Sequence, residues 1–375
     1  MVEDATKVLI LTVLLVSPAL DAAVPQCSFP AIYNFGDSNS DTGGSSAAFD
    51  LVPPPNGESF FGRPAGRECD GRLIIDFIAE HLGLPYLNPY LDWLSTSYRQ
   101  GVNFAAGRST IRGQNKTMVE LGTSPFSLDV QIAQFDQFKA KASKLQQRES
   151  NGCKLSKPQE FSRALYTFDI GENDLIAGLR MLTEAQLLAA IPNIIDQLAA
   201  AVTHLYRQGA RSFWIHNTGP VGCLPAATFN VSNPKRGFLD KYGCISGQNA
   251  MAIEYNRQLK GRVIRLRKEL PQASLVYVDV YSAKYHLISN AKNYGFMDPM
   301  KICCGHHERN ISVWCGQRRI INGLEIFGTS CDSPESHISW NGLHYTQAAN
   351  QWIADRILDG SFSDPPTPIA KACLM

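Results

Sequence analysis

The sequence predicts an α/β fold built on a largely parallel sheet with helices on both faces. Apolar runs of strand length alternate with longer segments of helical periodicity along the whole chain. Several of these runs stop at Gly- or Pro-containing turns, as strands do when the chain must reverse into a helix. Of 375 residues, 44% are apolar and 18% charged, which supports a large core and excludes wholesale disorder.

Taken in order, residues 30–36 (PAIYNFG) read as a short strand ending at a glycine, and 52–57 (VPPPNG) as a loop. Residues 72–82 carry apolar side chains at helical spacing until Gly83 and Pro85 stop the helix. Residues 164–170 (ALYTFDI) read as a buried strand. Residues 184–207 read as a long amphipathic core helix with a kink expected at Pro192. A strand at 211–216 runs into the loop NTGPVGCLP, a helix follows at 247–270, and SLVYVDV (274–280) is the next strand. The last helix is expected at 346–358. No repeat, low-complexity tract or linker interrupts this order, so residues 24–375 are expected to form one domain.

The first 23 residues have a different character. Lys7 precedes an apolar run from Val8 to Val16, Pro18 breaks it, and Ala22 and Ala23 are small. This is the layout of a secretory leader, although Glu3 and Asp4 are atypical of its charged start. The run is about half the roughly 18 apolar residues needed to span a bilayer, and no later segment is expected to span. The terminal AKACLM is neither an ER-retention signal nor a prenylation box. Lys plus Arg is 35 and Asp plus Glu 34, and this balance gives no reason to bind nucleic acid or an anionic membrane.

Export fits the cysteines. All ten follow the leader, and several disulfides are expected in an oxidising compartment. Cys303, Cys304, His306, His307 and Cys315 also have the composition of a metal site, but disulfides are the preferred reading, and neither metal nor cofactor is expected. Sequons at Asn115, Asn230 and Asn310 are candidate glycosylation sites. The expected location is extracellular, in wall or apoplast, with a vacuole as the alternative.

Four motifs carry chemistry. In Phe35-Gly36-Asp37-Ser38-Asn39-Ser40-Asp41-Thr42-Gly43, a serine placed directly after a strand and a glycine can expose its hydroxyl at the sheet edge and aim its N–H at an oxyanion. The second is Gly101-Val102-Asn103-Phe104-Ala105-Ala106-Gly107-Arg108-Ser109-Thr110. In the third, Gly171-Glu172-Asn173-Asp174, the Asn173 amide can donate to the same oxyanion. In the fourth, Trp340-Asn341-Gly342-Leu343-His344, the imidazole can act as general base if it meets Ser38 in space. Asp37, Asp41 and Asp174 read as turn or cap residues, not as a glycosidase pair.

In this order the motifs resemble the plant GDSL-type esterase/lipase family within the SGNH hydrolases. FGDSNSDTGG, NGESFFGRPAGRECDGRLIIDFIAE, GVNFAAGRSTI, YTFDIGENDL, HNTGPVGCLP and ISWNGLHYTQAAN carry the resemblance over nearly all of the mature chain. It implies a flavodoxin-like three-layer sandwich. It also implies Ser38 as nucleophile, His344 as base and Asn173 as side-chain oxyanion donor, beside the backbone of Ser38 and of Gly107 or Arg108. The implied activity is hydrolysis of carboxylic esters, whether small-molecule, lipid or cell-wall, through an acyl-serine. An acyltransferase with an alcohol acceptor and a non-catalytic ligand-binding descendant are the alternatives. No oligomeric state follows from the motifs.

Two positions depart from the family pattern. The family usually carries Trp-Asp-Gly-x-His, and here the acid position is Asn341; Asp332 and Glu335, nearby in sequence, are candidate substitutes. In serine proteases such an Asp-to-Asn change costs about 10⁴ in rate, because an amide that donates holds the wrong imidazole tautomer. Position 108, commonly glycine, is Arg108. That matters if the backbone there needs positive φ, and the guanidinium either faces the pocket or points to solvent. Glu68-Cys69-Asp70 stands where Ser-Asp is common. Asn341-Gly342 is also a deamidation-prone dipeptide.

Overall fold

The computed structural model describes residues 27–92, 97–113, 123–148, 155–229, 231–308 and 311–373. Residues 1–23, expected to be a leader, Cys153 and the three sequon asparagines (Asn115, Asn230 and Asn310) lie outside the described residues.

In chain order the elements are β1 (Ile32–Gly36), α1 (Gly44–Ala48), α2 (Ile74–His81), β2 (Gly101–Asn103), α3 (Leu128–Arg148), β3 (Leu165–Asp169), α4 (Glu172–Met181), α5 (Glu184–Arg207) and β4 (Ser212–His216). Then come α6 (Pro225–Thr228), α7 (Ser246–Glu269), β5 (Ser274–Val278), α8 (Val280–Ser289), β6 (Gly305–Glu308), β7 (Ile311–Trp314), β8 (Arg318–Ile321), β9 (Leu324–Phe327), α9 (Gln347–Leu358) and β10 (Ser363–Asp364). The sheet order is β10-β5-β4-β3-β1-β2, parallel except for β10. The parallel part runs 2-1-3-4-5, the flavodoxin-like order, whose ligand crevice lies beyond the carboxyl ends of the strands around β1 and β3.

Side chains alternate between the two faces of each strand. Tyr33 and Phe35 of β1, with Tyr166 and Phe168 of β3, face the layer of α3, α5 and α7. Ile32, Leu165, Trp214 and Val276 face the layer of α2, α8 and α9. The chain is therefore a three-layer α/β/α sandwich. On the first face aromatic rings pack tightly, with Tyr33 stacked on Phe161 and Phe35 stacked on both Phe104 and Phe168.

The strands and helices read from periodicity recur within one or two residues, and α5 runs through Pro192 as one helix. By length and composition α5 does qualify as a span, contrary to expectation. Its apolar stripe, including Leu187, Ile191, Ile194, Leu198 and Val202, is buried against the sheet. Elements not anticipated are α1, β2, α3, α4, α6, α8, β10 and the two hairpins β6–β7 and β8–β9. Four disulfides join Cys27–Cys373, Cys223–Cys244, Cys303–Cys331 and Cys304–Cys315, while Cys69 is a buried thiol. The cysteines of the apparent metal motif are thus bonded to one another and to Cys331, and present no thiolates.

Candidate active site

The site is built where β1 and β3 end. Gly36 closes β1, and a side chain there would come within 2.1 Å of Ser40 Oγ and 2.8 Å of the Asp169 carbonyl, so only glycine fits. Its N–H and carbonyl are both held by the Gln131 amide of α3, at 3.0 and 2.8 Å. The turn that follows is anchored from below by buried amides. Asn34 bridges Asn103 and Ser40, and Asn103 donates to the Ser40 carbonyl and to Thr42 Oγ1. This polar ladder across β2 and β1 is satisfied internally, so it fixes the turn carrying Ser38.

Ser38 Oγ lies 2.8 Å from His344 Nε2, bringing together two residues from opposite ends of the chain. Both His344 and Asn341 are buried. The Asn341 side chain is oriented by its own backbone neighbours. Oδ1 accepts the N–H groups of Leu343 (3.1 Å) and His344 (2.9 Å), which only an oxygen can do. The amide Nδ2 is thereby left 2.9 Å from His344 Nδ1, with Oδ1 at 3.1 Å. Asp332 and Glu335, the candidate substitutes, are exposed and make no contact with the imidazole. A third carboxylate does: Glu68 Oε2 lies 3.4 Å from Nδ1.

The oxyanion positions need one correction. The Gly107 N–H donates to Asp41 Oδ2 (2.8 Å) and Ser45 Oγ (2.6 Å), so it is engaged and does not face the cavity as a free donor. No such partner holds the N–H groups of Ser38 and Arg108 among the described residues. Arg108 has φ 65°, so the position does require the left-handed conformation that favours glycine. Its side chain is exposed and borders the cavity. Asn173, in the first turn of α4, donates one amide hydrogen to the Ser109 carbonyl at 3.0 Å, which orients the amide and leaves its second hydrogen. Gly171, at φ 123°, provides the turn from β3 into α4.

The cavity measures about 510 Å³. Ser38, His344, Glu68, Arg108 and Asn173 line it. Leu51, Val52, Ile176 and Ala177 give it apolar walls, and Trp314, Cys315 and Gln317 close one side. The two disulfides Cys303–Cys331 and Cys304–Cys315 staple that last wall.

Beneath Ser38 lies a charged cluster of Asp37, Asp169, Glu172, His216 and Lys284. Burial pushes the Asp37 carboxyl well up, and the charges of Asp169 and Glu172 push it further. Burial also opposes ionisation of Asp169, but the neighbouring His216 and Lys284 outweigh it and hold that carboxyl below its usual range. His216 Nδ1 is 3.6 Å from Asp169 Oδ2. Burial raises Glu172 as well, against the pull of Lys284 and His344. Asp174 turns away from the cavity and accepts the N–H groups of Ile111 (2.7 Å) and Arg112 (3.2 Å); burial pushes its pKa up to about 6.

A serine hydroxyl on an imidazole, at the carboxyl ends of a flavodoxin-like sheet and beside free N–H donors, is the site of a serine hydrolase. The chain belongs to the GDSL-like lipase/acylhydrolase family, whose model matches residues 32–357. It is 56% identical to a "GDSL esterase/lipase" of Arabidopsis thaliana over 93% of this chain and 90% of that protein. It is 48% identical to the "Alpha-L-fucosidase 3" of the same plant, over 93% of each chain. It is 44% identical to the "Esterase" of Hevea brasiliensis, over 98% and 94%. The protein is an esterase/lipase-like serine hydrolase of carboxylic esters.

Proposed function

We propose that Ser38 is the acylated nucleophile of this hydrolase and that His344 is its general base. The observation that carries this reading is the 2.8 Å contact between Ser38 Oγ and His344 Nε2. Nε2 takes the hydroxyl proton as Oγ attacks the ester carbonyl. The oxyanion is held by the N–H groups of Ser38 and Arg108 and by the second amide hydrogen of Asn173. The imidazolium then gives its proton to the departing alcohol. Water, activated by the same imidazole, attacks the acyl-serine and releases the acid.

A cavity of about 510 Å³ with apolar walls and charged groups of both signs suits a small-molecule ester or one acyl-bearing unit of a larger substrate. We place the mature protein outside the cell. The leader-like first 23 residues, the three sequons and the four disulfides all support that placement.

The test is hydrolysis of p-nitrophenyl acetate and butyrate by the purified protein and by Ser38→Ala. The expected result is turnover by the former only. Turnover that survives in Ser38→Ala contradicts the proposal, and so does cleavage of p-nitrophenyl α-L-fucoside with neither ester touched. N-terminal sequencing of the secreted protein should begin near residue 24.

A further inference from the structure

Three facts at His344 Nδ1 do not fit a triad closed by residue 341. The Asn341 oxygen already accepts two backbone N–H groups and lies 3.1 Å from Nδ1, farther than the donor Nδ2 at 2.9 Å. A donor there favours the imidazole with its proton on Nε2, which points a hydrogen at Ser38 and leaves no base for it. The one carboxylate recorded against Nδ1 is Glu68, with Oε2 at 3.4 Å.

We propose that Glu68 is the acid of this triad, a positioning residue that accepts the Nδ1–H of His344 and so frees the Nε2 lone pair for Ser38. The inference rests on the hydrolase reading above and deepens it. When Nε2 takes the Ser38 proton, Nδ1–H stays in place and the positive ring faces the Glu68 carboxylate. No proton passes to Glu68. At 3.4 Å the pair is an ion-pair contact and no hydrogen bond in the resting structure; the bond forms as charge develops on the ring and draws the carboxylate in.

The local chain is built to hold Glu68 there. Arg67 before it is buried and bidentate to Asp76, at 2.8 and 2.6 Å. Cys69 after it is buried, with its carbonyl accepting the Gly57 N–H. Asp70 accepts the N–H of Gln347 at the start of α9. The segment is thus tied both to α2 and to the helix that follows His344. The Glu68 side chain is 36% exposed, so its attraction to the ring is partly screened, and its loss costs less than that of a fully buried acid.

Four proteins test this: the unmodified chain, Glu68→Gln, Asn341→Asp and the double variant. Glu68→Gln should lower kcat about 10- to 100-fold with little change in KM. In the Asn341→Asp background the same change should cost less than about threefold, because an aspartate at 341 supplies the carboxylate. Equal losses in both backgrounds mean a structural role and overturn the proposal, as does an unchanged kcat in Glu68→Gln.

A second readout needs no turnover. The imidazole tautomer of His344, read by ¹⁵N NMR on histidine-labelled protein, should carry its proton on Nδ1 in the unmodified chain and shift toward Nε2–H in Glu68→Gln, since the ring loses the acceptor facing Nδ1. The other groups that face the ring or its cavity are unaltered: Glu172 of α4 with Lys284 of α8 beside it, Arg108, Arg180 and Asp50. An unchanged His344 tautomer overturns the proposal. If the unmodified chain shows no Ser38-dependent turnover, the hydrolase reading fails, and the tautomer alone decides the place of Glu68.

Discussion

Asp41 accepts the backbone N–H of Gly107 at 2.8 Å, joining the loop after β2 to the loop after β1. The same carboxylate accepts Gly43, Gly44 and Ser45 at the start of α1. One buried side chain therefore sets the distance between Ser38 and Arg108. Asp41→Ala leaves these donors without their acceptor and should destabilise the fold by about 3 kcal/mol. It should also lower kcat more than it raises KM. Denaturant unfolding and ester kinetics check both effects.

Arg108 holds φ 65°, which costs a non-glycine residue roughly 1–2 kcal/mol. Arg108→Gly removes that cost and gains some unfolded-chain entropy in return. The net expectation is a stability increase of about 0.5–1 kcal/mol in urea unfolding. A decrease means that the guanidinium makes contacts worth more than the strain.

Asp174 has its pKa raised by burial from 3.8 to about 6. A carboxyl that binds its proton more tightly when folded favours the fold at low pH. That contribution is lost as pH rises from about 4 to about 6 and is flat above. The shift corresponds to roughly 3 kcal/mol. Asp174→Asn lacks this titration, so the stability of the unmodified protein relative to the variant should fall across that window. A relative stability that rises from pH 4 to 6 contradicts it.

Asn341-Gly342 is deamidation-prone in sequence, but the fold restrains it. The Gly342 N–H that must attack the side chain donates to Ser339 Oγ at 3.0 Å, and Asn341 Oδ1 is held by two further N–H groups. Peptide mapping after prolonged incubation should show no +1 Da form from folded protein and a growing one from unfolded protein.

The layout was largely legible because the buried strands and the α2, α5, α7 and α9 helices carry strong apolar periodicity. α3 was missed although Ile132, Phe135, Phe138 and Ala142 form a buried stripe, because the rest of the helix is polar. The hairpins β6–β7 and β8–β9 lie outside the main sheet and carry many exposed residues, so no core pattern marks them. At the site, the motifs put Ser38 and His344 forward as nucleophile and base, and the fold sets their Oγ and Nε2 2.8 Å apart. Of the two backbone donors the sequence offers at 107 and 108, that of Gly107 is taken by Asp41, because sequence does not say where an N–H points. For the acid, the sequence offers Asn341 at the usual position, with Asp332 and Glu335 nearby as candidate substitutes. The fold brings Glu68, from the segment before α2 in the same helix layer as α9, to 3.4 Å from His344 Nδ1, an approach that no spacing in the sequence marks.

The most direct measurement is covalent trapping of Ser38. The folded protein is treated with a fluorophosphonate ester and mapped by peptide mass spectrometry. A single adduct on Ser38 is expected, lost in Ser38→Ala and formed far more slowly in His344→Ala. An unlabelled Ser38 in protein that hydrolyses p-nitrophenyl acetate, or an adduct on another residue, contradicts the assignment of Ser38 as the nucleophile.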